Sequence, residues 1–446
     1  MNQHGQVEPD DGVLPAMDRR HFLSRTLAAG GALAFPHFVP ASVLGRGGAV
    51  APGDQIVMGA VGIGGRGTAV LDWMLGEQEV RFVAVADVQQ GRRDGAKQMV
   101  DARYGNTDCA AYLDFRELLA RPDIDAVMLA PGDRWHGPMS MLAMQAGKDV
   151  YCEKPACLTL AQGRRLADTA RRYGRIFQSG TQRLSEAPHV FAIEMARSGR
   201  LGPLHTVYAD CRWHAGYRHD WLPEEPLPPR AAMDWDIWLG PAPWRPYNGA
   251  YMGTLWYNFH DFATDIAQWG AHTIAQALPG MDVPLDAPVT IEYDGDSPDR
   301  TVRFARGPKL VLYRGGTIHA SPYWHGSCGE RFDGPEGWLA AADGYARTAA
   351  SSPALLADYQ QVLDAYTART RRPFNHVRDF LACVRSRQST VANADLTRDA
   401  MAINLAADIG NDLKRSVTLD LTSMDFIGDP EANRLRDRAM REPWAG

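Results

Sequence analysis

Apolar residues in this chain gather in short unbroken runs of strand length, separated by stretches of helical period, beginning with Gln55-Ile56-Val57-Met58-Gly59-Ala60-Val61. Continuous apolarity marks strands covered on both faces, and alternation with helices marks a parallel sheet. A helix is predicted from near Thr68 through Ala69, Val70, Leu71 and Trp73. Further strands are predicted at 82–86, 123–131, 148–152 and 176–179, with a helix at 138–146. Trp135 and His136 are expected in the loop before that helix. Beyond residue 179 the pattern changes. Strand-like runs at 204–209 and 309–313 lie among long loops, and late helices at 374–386 and 398–413 are expected to pack against their sheet. A length of 446 residues suits two domains. The reading is α/β: a dinucleotide-type domain at 54–178 and a second domain at 179–446.

The first 50 residues belong to neither. Arg19-Arg20-His21-Phe22-Leu23 precedes a short, small-residue apolar run from Thr26 to Phe35 that Pro36 stops. This is the layout of a twin-arginine export signal, too short to span a bilayer. A chance arginine pair on an amphipathic helix is the plainer alternative. Residues 45–53 read as a flexible connection. The signal predicts a periplasmic protein delivered folded by the twin-arginine translocase, anchored if the signal stays uncleaved.

The turn after the first strand carries the chemistry. Gly62-Ile63-Gly64-Gly65-Arg66-Gly67 enters from a strand and leaves into a helix, and Asp87 ends the second strand 20 residues past Gly67. Gly62 suits a tight turn, Gly64 the approach of a pyrophosphate, and Gly67 close packing of helix on strand, with helix amides facing the phosphates. A carboxylate at Asp87 would bind the adenosine ribose diol and repel a 2′-phosphate, so NAD(H) is favoured over NADP(H), a preference that Arg92 and Arg93 weaken slightly. The strands at 123–131 and 148–152 end at Pro131 and at Glu153-Lys154-Pro155. Ligands lie beyond this edge of such sheets, so His136 and Lys154 are placed near the nicotinamide.

Composition changes little. With 45% hydrophobic residues, 22% charged residues and a net charge of -6, neither disorder nor a nucleic-acid surface is indicated. Six scattered cysteines show no metal-ligand spacing, and a chain that folds before export cannot depend on disulfides.

These features, with Gly180-Thr181-Gln182-Arg183, Trp269-Gly270-Ala271-His272 and the tail Arg438–Trp444, resemble the Gfo/Idh/MocA family across most of the mature chain. The family is named for glucose-fructose oxidoreductase, inositol dehydrogenase and a rhizopine catabolism protein. The resemblance implies a Rossmann domain, then an α+β domain with an open, mainly antiparallel sheet used for homodimer or tetramer formation. It implies catalysis by Lys154 and His272, the histidine as general base. Cofactor contacts are expected from Gly62, Ile63, Gly64, Arg66, Gly67, Asp87, Pro131, His136, Glu153, Lys154 and Gln182. Substrate contacts are expected from Arg183, Tyr257, His260, Asp261, Asp265 and Gln268, with His214, Tyr217, His219 and Trp221 as further polar aromatics. For the tryptophan-rich stretch from Trp213 to Trp338 as a whole, core or interface packing is the favoured reading.

One departure stands out: Gln268 occupies the position four before His272, where the family often has Asp, and an amide cannot share a proton as a carboxylate can. Three functions remain. The first is a ping-pong sugar or polyol oxidoreductase whose cofactor is retained and recycled. The second is redox-neutral glycoside cleavage by oxidation, elimination, hydration and re-reduction. The third is a non-catalytic binding protein on a dehydrogenase fold.

Overall fold

The computed structural model describes residues 51–444 except 212–217, 254, 265–266, 296 and 315–320. The export signal and His214, Tyr217 and Asp265 therefore lie outside the described residues. The chain divides into Met1–Asp54, whose described residues include the short turn Pro52–Asp54, and Gln55–Gly446, which carries everything below.

Six parallel strands form the first sheet: β1 Ile56–Val61, β2 Val80–Ala86, β3 Ala110–Tyr112, β4 Ala126–Leu129, β5 Asp149–Cys152 and β6 Phe177–Ser179, in spatial order 3-2-1-4-5-6. The sequence runs were long enough to reveal all but β3. That edge strand has only three residues, none of them buried, so it carries no periodicity. Helix α1, Gly65–Leu75, starts three residues before the expected Thr68, directly after a turn at Gly62 with φ +80°. After α2 Gln90–Tyr104 and α3 Phe115–Leu119 comes α4, Asp133–Gln145, which overturns the expected loop. Gly132, at φ +105°, completes the turn out of β4, so Trp135 and His136 sit buried in the first turns of α4. Pro138 marked a helix start in the sequence but stands inside this one.

α5 Leu160–Tyr173 leads into β6, and α6 Ala187–Arg197 opens the second domain. Its nine-stranded sheet is mixed. β7 Thr206–Asp210 pairs parallel with β10 Lys309–Tyr313, and the other pairings are antiparallel. A short helix, α7 Trp235–Leu239, interrupts the long loop after β7. α6, α8 Ala267–Met281 and α11 Ala394–Leu413 cover one face of the sheet through Phe191, Ile274 and Ile403.

The helix expected at 374–386 is α10, His376–Ser386, following α9 Tyr359–Thr370, and it does not pack on the second sheet. Its stripe of Val377, Phe380, Leu381 and Val384 joins Ile56, Met58 and Phe82 in the core of the first sheet. Arg387 beyond it grips the buried Asp149 of β5 at 2.5 Å. A helix from late in the chain thus completes the core of the first domain.

His376 ties α10 to the edge of the first sheet. Its Nε2 donates to the Ser179 carbonyl at 2.8 Å, and its Nδ1 meets the Ser185 hydroxyl at 2.9 Å. Burial lowers its pKa to about 4. The folded protein therefore resists protonation that the unfolded chain accepts below about pH 6.5, and stability drains as pH falls from there to about 4. We expect the denaturation midpoint to drop across this range by an amount worth about 3 kcal/mol for this histidine, and His376→Gln to flatten the slope by about one proton, read from denaturant titrations at successive pH values.

Candidate active site

A cavity of about 800 Å³ opens at the carboxyl ends of β1, β2, β4 and β5. One end is the glycine turn. A Cβ on Gly62 would lie 2.4 Å from Pro131 backbone, and one on Gly67 only 2.1 Å from the Gly62 carbonyl, so the turn closes only with glycine at both. Gly65 is different: a Cβ there meets nothing within 4 Å, which leaves room for a ligand at the start of α1. Asp87, 6% exposed, accepts the Ile63 amide at 2.7 Å and the Gln89 amide at 2.8 Å, and its remaining lone pairs can face the cavity it lines. These groups fit a dinucleotide: open amides for a pyrophosphate and a fixed carboxylate for a ribose diol.

The other end holds Lys154, Arg183, His272, Gln268, Asp133 and Cys328. Lys154 Nζ donates to the Gln268 carbonyl at 2.9 Å, and burial lowers its pKa. His272 is 4% exposed, with Arg183 Nη1 at 3.2 Å from Nε2 and 3.4 Å from Nδ1. Burial first, then the charge of Arg183, pushes its pKa well below the ordinary value, so the imidazole is neutral at working pH. Arg183 is in turn fixed by a two-pronged pair with Asp343 at 2.6 and 2.9 Å, and Ser327 donates to the same carboxylate at 2.6 Å. Glu153 takes Arg66 at 3.1 Å and Gln182 at 2.8 Å. Gly180 makes space for it, since a Cβ there would meet Glu153 Oε1 at 2.6 Å. Among the described residues no group of three His, Cys, Asp or Glu is arranged to hold a metal ion. All six cysteines are free and buried.

Two family models match: an oxidoreductase family NAD-binding Rossmann fold over residues 56–181 and the same family's C-terminal alpha/beta domain over 197–446. The chain belongs to the Gfo/Idh/MocA oxidoreductase family. An inositol 2-dehydrogenase of Agrobacterium fabrum is 30% identical over 155 residues, 34% of this chain and 43% of that protein. An alpha-N-acetylgalactosaminidase of Shewanella oneidensis is 30% identical over 165 residues, 35% of each. The matches to these curated relatives thus span well under half of their length. In fold the chain is similar to the WlbA dehydrogenase of Chromobacterium violaceum, solved with NADH and UDP-GlcNAcA (TM-score 0.56, 15% identity, 82% of this chain and 96% of that one). It is also similar to myo-inositol dehydrogenase of Lactobacillus casei with NAD(H) and myo-inositol (TM-score 0.53, 17% identity, 85% and 99%).

Within this Gfo/Idh/MocA site, Gly62, Gly64, Arg66, Gly67, Asp87, Pro131, His136, Glu153 and Lys154 all line the cavity, as do Arg183, Tyr257, Gln268 and His272. Others do not. The Ile63 side chain belongs to the core of the first sheet, and Gln182 stands behind Glu153, donating to it and to the Tyr151 hydroxyl. His260 and Asp261 also lie off the cavity. Asp261 pairs with the buried Arg245, and the His260 ring lies tilted against that of His219, 5.4 Å between centres. Trp221 is 53% exposed against Trp244. Alternation of polar and aromatic residues does not say which way a long loop faces, and these point outward or into a local core.

Asp133, Arg134, Trp256 and Cys328 line the site without having been singled out. Asp133 had a signal: an acid two residues past Pro131, in the segment leaving β4 at the ligand edge. His136 donates from Nδ1 to the Pro155 carbonyl at 2.8 Å, and burial lowers its pKa to about 4.

The two glycines differ sharply in what they tolerate. Gly67→Ala is expected to abolish dinucleotide binding and to lower stability by about 2 kcal/mol or more, since backbone must move. Gly65→Ala is expected to leave stability within about 0.5 kcal/mol. Calorimetry for folding and NADH fluorescence for binding separate the two.

Proposed function

We propose that this protein is an NAD(H)-dependent oxidoreductase for a sugar or polyol hydroxyl, with its cofactor retained and recycled between two substrates in a ping-pong cycle. The observation that carries the reading is the convergence of Lys154, His272 and Arg183 at one end of the cavity whose other end is the glycine turn. A carbinol held there meets an amine, a neutral imidazole and a guanidinium, with Trp256, Tyr257 and Trp269 in the cavity wall, an aromatic lining suited to a sugar ring. When bound, the nicotinamide accepts the hydride from the carbinol carbon. Lys154 binds the hydroxyl oxygen and, with its lowered pKa, is the better acceptor for its proton. Arg183 opposes a second positive charge on His272, which orients the substrate as a hydrogen-bond acceptor. Asp87 favours NAD(H) over NADP(H).

Retention is supported by a strap from the second domain. Gln90 donates to Ala232 at 2.9 Å, Arg92 to Met252 at 3.1 Å, Arg134 to Trp238 at 2.7 Å and Trp135 to Ile237 at 2.8 Å. These bonds run from the first domain to a segment whose Ile237, Trp238, Met252 and Trp256 line the cavity. The tail locks the strap: Arg441 donates to Asp236 at 2.5 Å, and the Trp444 ring lies 5.0 Å from Trp135. A retained cofactor suits a protein exported folded through the twin-arginine pathway, which the leader suggests, and we extend the proposal to a periplasmic homo-oligomer.

The glycosidase relatives favour a second reading, redox-neutral cleavage of a glycoside, which uses the same retained cofactor and bases.

Purified protein is expected to carry bound NAD(H) and, given myo-inositol or an aldose, to change absorbance at 340 nm once and then stop until a second carbonyl substrate is supplied. Lys154→Ala should lower that hydride transfer by about 100-fold or more. No response to any polyol or sugar, with nitrophenyl glycosides cleaved instead, would favour the second reading. Trp444→Ala is expected to speed cofactor release by up to about tenfold, measured as loss of bound NADH fluorescence after dilution; an unchanged rate would remove the tail from the retention argument.

A further inference from the structure

The site contains a carboxylate with no assigned task. Asp133 is 2% exposed and lines the cavity at the first turn of α4. The other cavity acids are committed. Asp87 holds two backbone amides, and Glu153 holds Arg66 and Gln182. Asp133 instead accepts the Gln268 side-chain amide at 2.5 Å, while the backbone carbonyl of the same Gln268 accepts Lys154 Nζ at 2.9 Å. One residue therefore holds both the carboxylate and the amine, each through a different group. We propose that Asp133 and Lys154, joined through Gln268 and not by a direct ion pair, act as one coupled proton-holding pair, with Asp133 as the positioning residue for the catalytic lysine. The proposal rests on the oxidoreductase reading above for the use of the proton, but the pair itself can be tested without substrate.

Burial penalises both ions of such a pair, and it moves the two groups toward each other: Asp133 up to about 7, Lys154 down. Other groups facing Asp133 are Arg134 on its own helix, Tyr257 from the loop before α8, and Cys152 at the end of β5. Facing Lys154 are Glu153, Cys328 and Arg66, with His136 and His272. In the ready state the two groups hold one proton between them, and it resides on Asp133 when the neutral amine of Lys154 accepts another. With NAD(H) bound, the nicotinamide would take the hydride as the C=O bond forms; the task of this chain's own residues is the hydroxyl proton, which passes to Lys154. The pair then holds two protons and one net positive charge, which would replace the charge that a bound nicotinamide ring loses on reduction. The site keeps its total charge in a place where water cannot rebalance it. Gln268 cannot hold that proton itself, but it sets the carboxylate that can.

The chain has five lysines (Lys97, Lys148, Lys154, Lys309 and Lys414), so ¹³Cε-lysine NMR resolves Lys154, assigned by comparison with Lys154→Arg. In the protein as purified, the Lys154 resonance is expected to titrate below the ordinary lysine range with two inflections. Asp133→Asn keeps the shape and can keep the amide contact; it should remove the lower inflection and shift the other down by about one pH unit or more. The double variant D133N/Q268D, which moves the carboxylate across the contact, should restore two inflections. A single inflection at the ordinary lysine position in the native protein overturns the pair, as does an identical Lys154 titration in native and D133N protein. Hydride transfer from a sugar or polyol that D133N leaves with an unchanged pH profile overturns the proton role alone. A coupled Lys154 titration in a protein that oxidises no sugar or polyol leaves the pair standing and removes the function it was assigned to.

Discussion

Charge held out of water at the carboxyl edge of the parallel sheet is the constraint around which this molecule is built. An isolated ion there costs several kcal/mol, so each one needs a partner in fixed geometry. Glu153 is held by Arg66 and Gln182, Asp87 by two amides, Arg183 by Asp343, and Asp133 by Gln268. Arg134 donates to the Trp238 carbonyl and lies 3.7 Å from the Trp238 ring centre. Almost every partner lies on a different segment from the group it holds. The site cannot exist until both domains have met, and that is why the elements around it are fixed so firmly.

The same need explains the interleaving of the domains. α10 returns from the end of the chain to fill the first core, and the strap and tail return to roof the cavity. A lone Rossmann unit would expose the cofactor groove and leave Trp135 with no acceptor for its indole N–H. Enclosure raises the strength of each polar contact inside and slows exchange with the outside, two effects that a protein with a captive cofactor would need together.

Electrostatics also rank the basic groups. Lys154 and His272 are both pushed toward neutrality by burial, but a fixed arginine lies against the histidine and a carboxylate stands near the lysine. A neighbouring cation makes a base reluctant, and a neighbouring anion makes it willing. The difference between the two groups follows from neighbours, not from residue type.

The strands β1, β2, β4, β5 and β6, the glycine turn and the acid at the end of β2 were legible in the sequence because each rests on local facts: unbroken apolar runs, glycine's access to positive φ, and fixed spacing. The resemblance carried Lys154 and His272 to the right edge of the sheet. What failed was less local. β3 was too short to show a period, Pro138 disguised the start of α4, and His260 and Asp261 gave no sign of facing away from the cavity. Gln268 read as a lost acid until the fold brought Asp133 to within 2.5 Å of its amide, 135 residues away in sequence. Local steric and hydrophobic rules act along the chain and can be read from it; which buried charge finds which partner is settled only when distant segments meet, since a contact of a few ångströms depends on how whole elements pack.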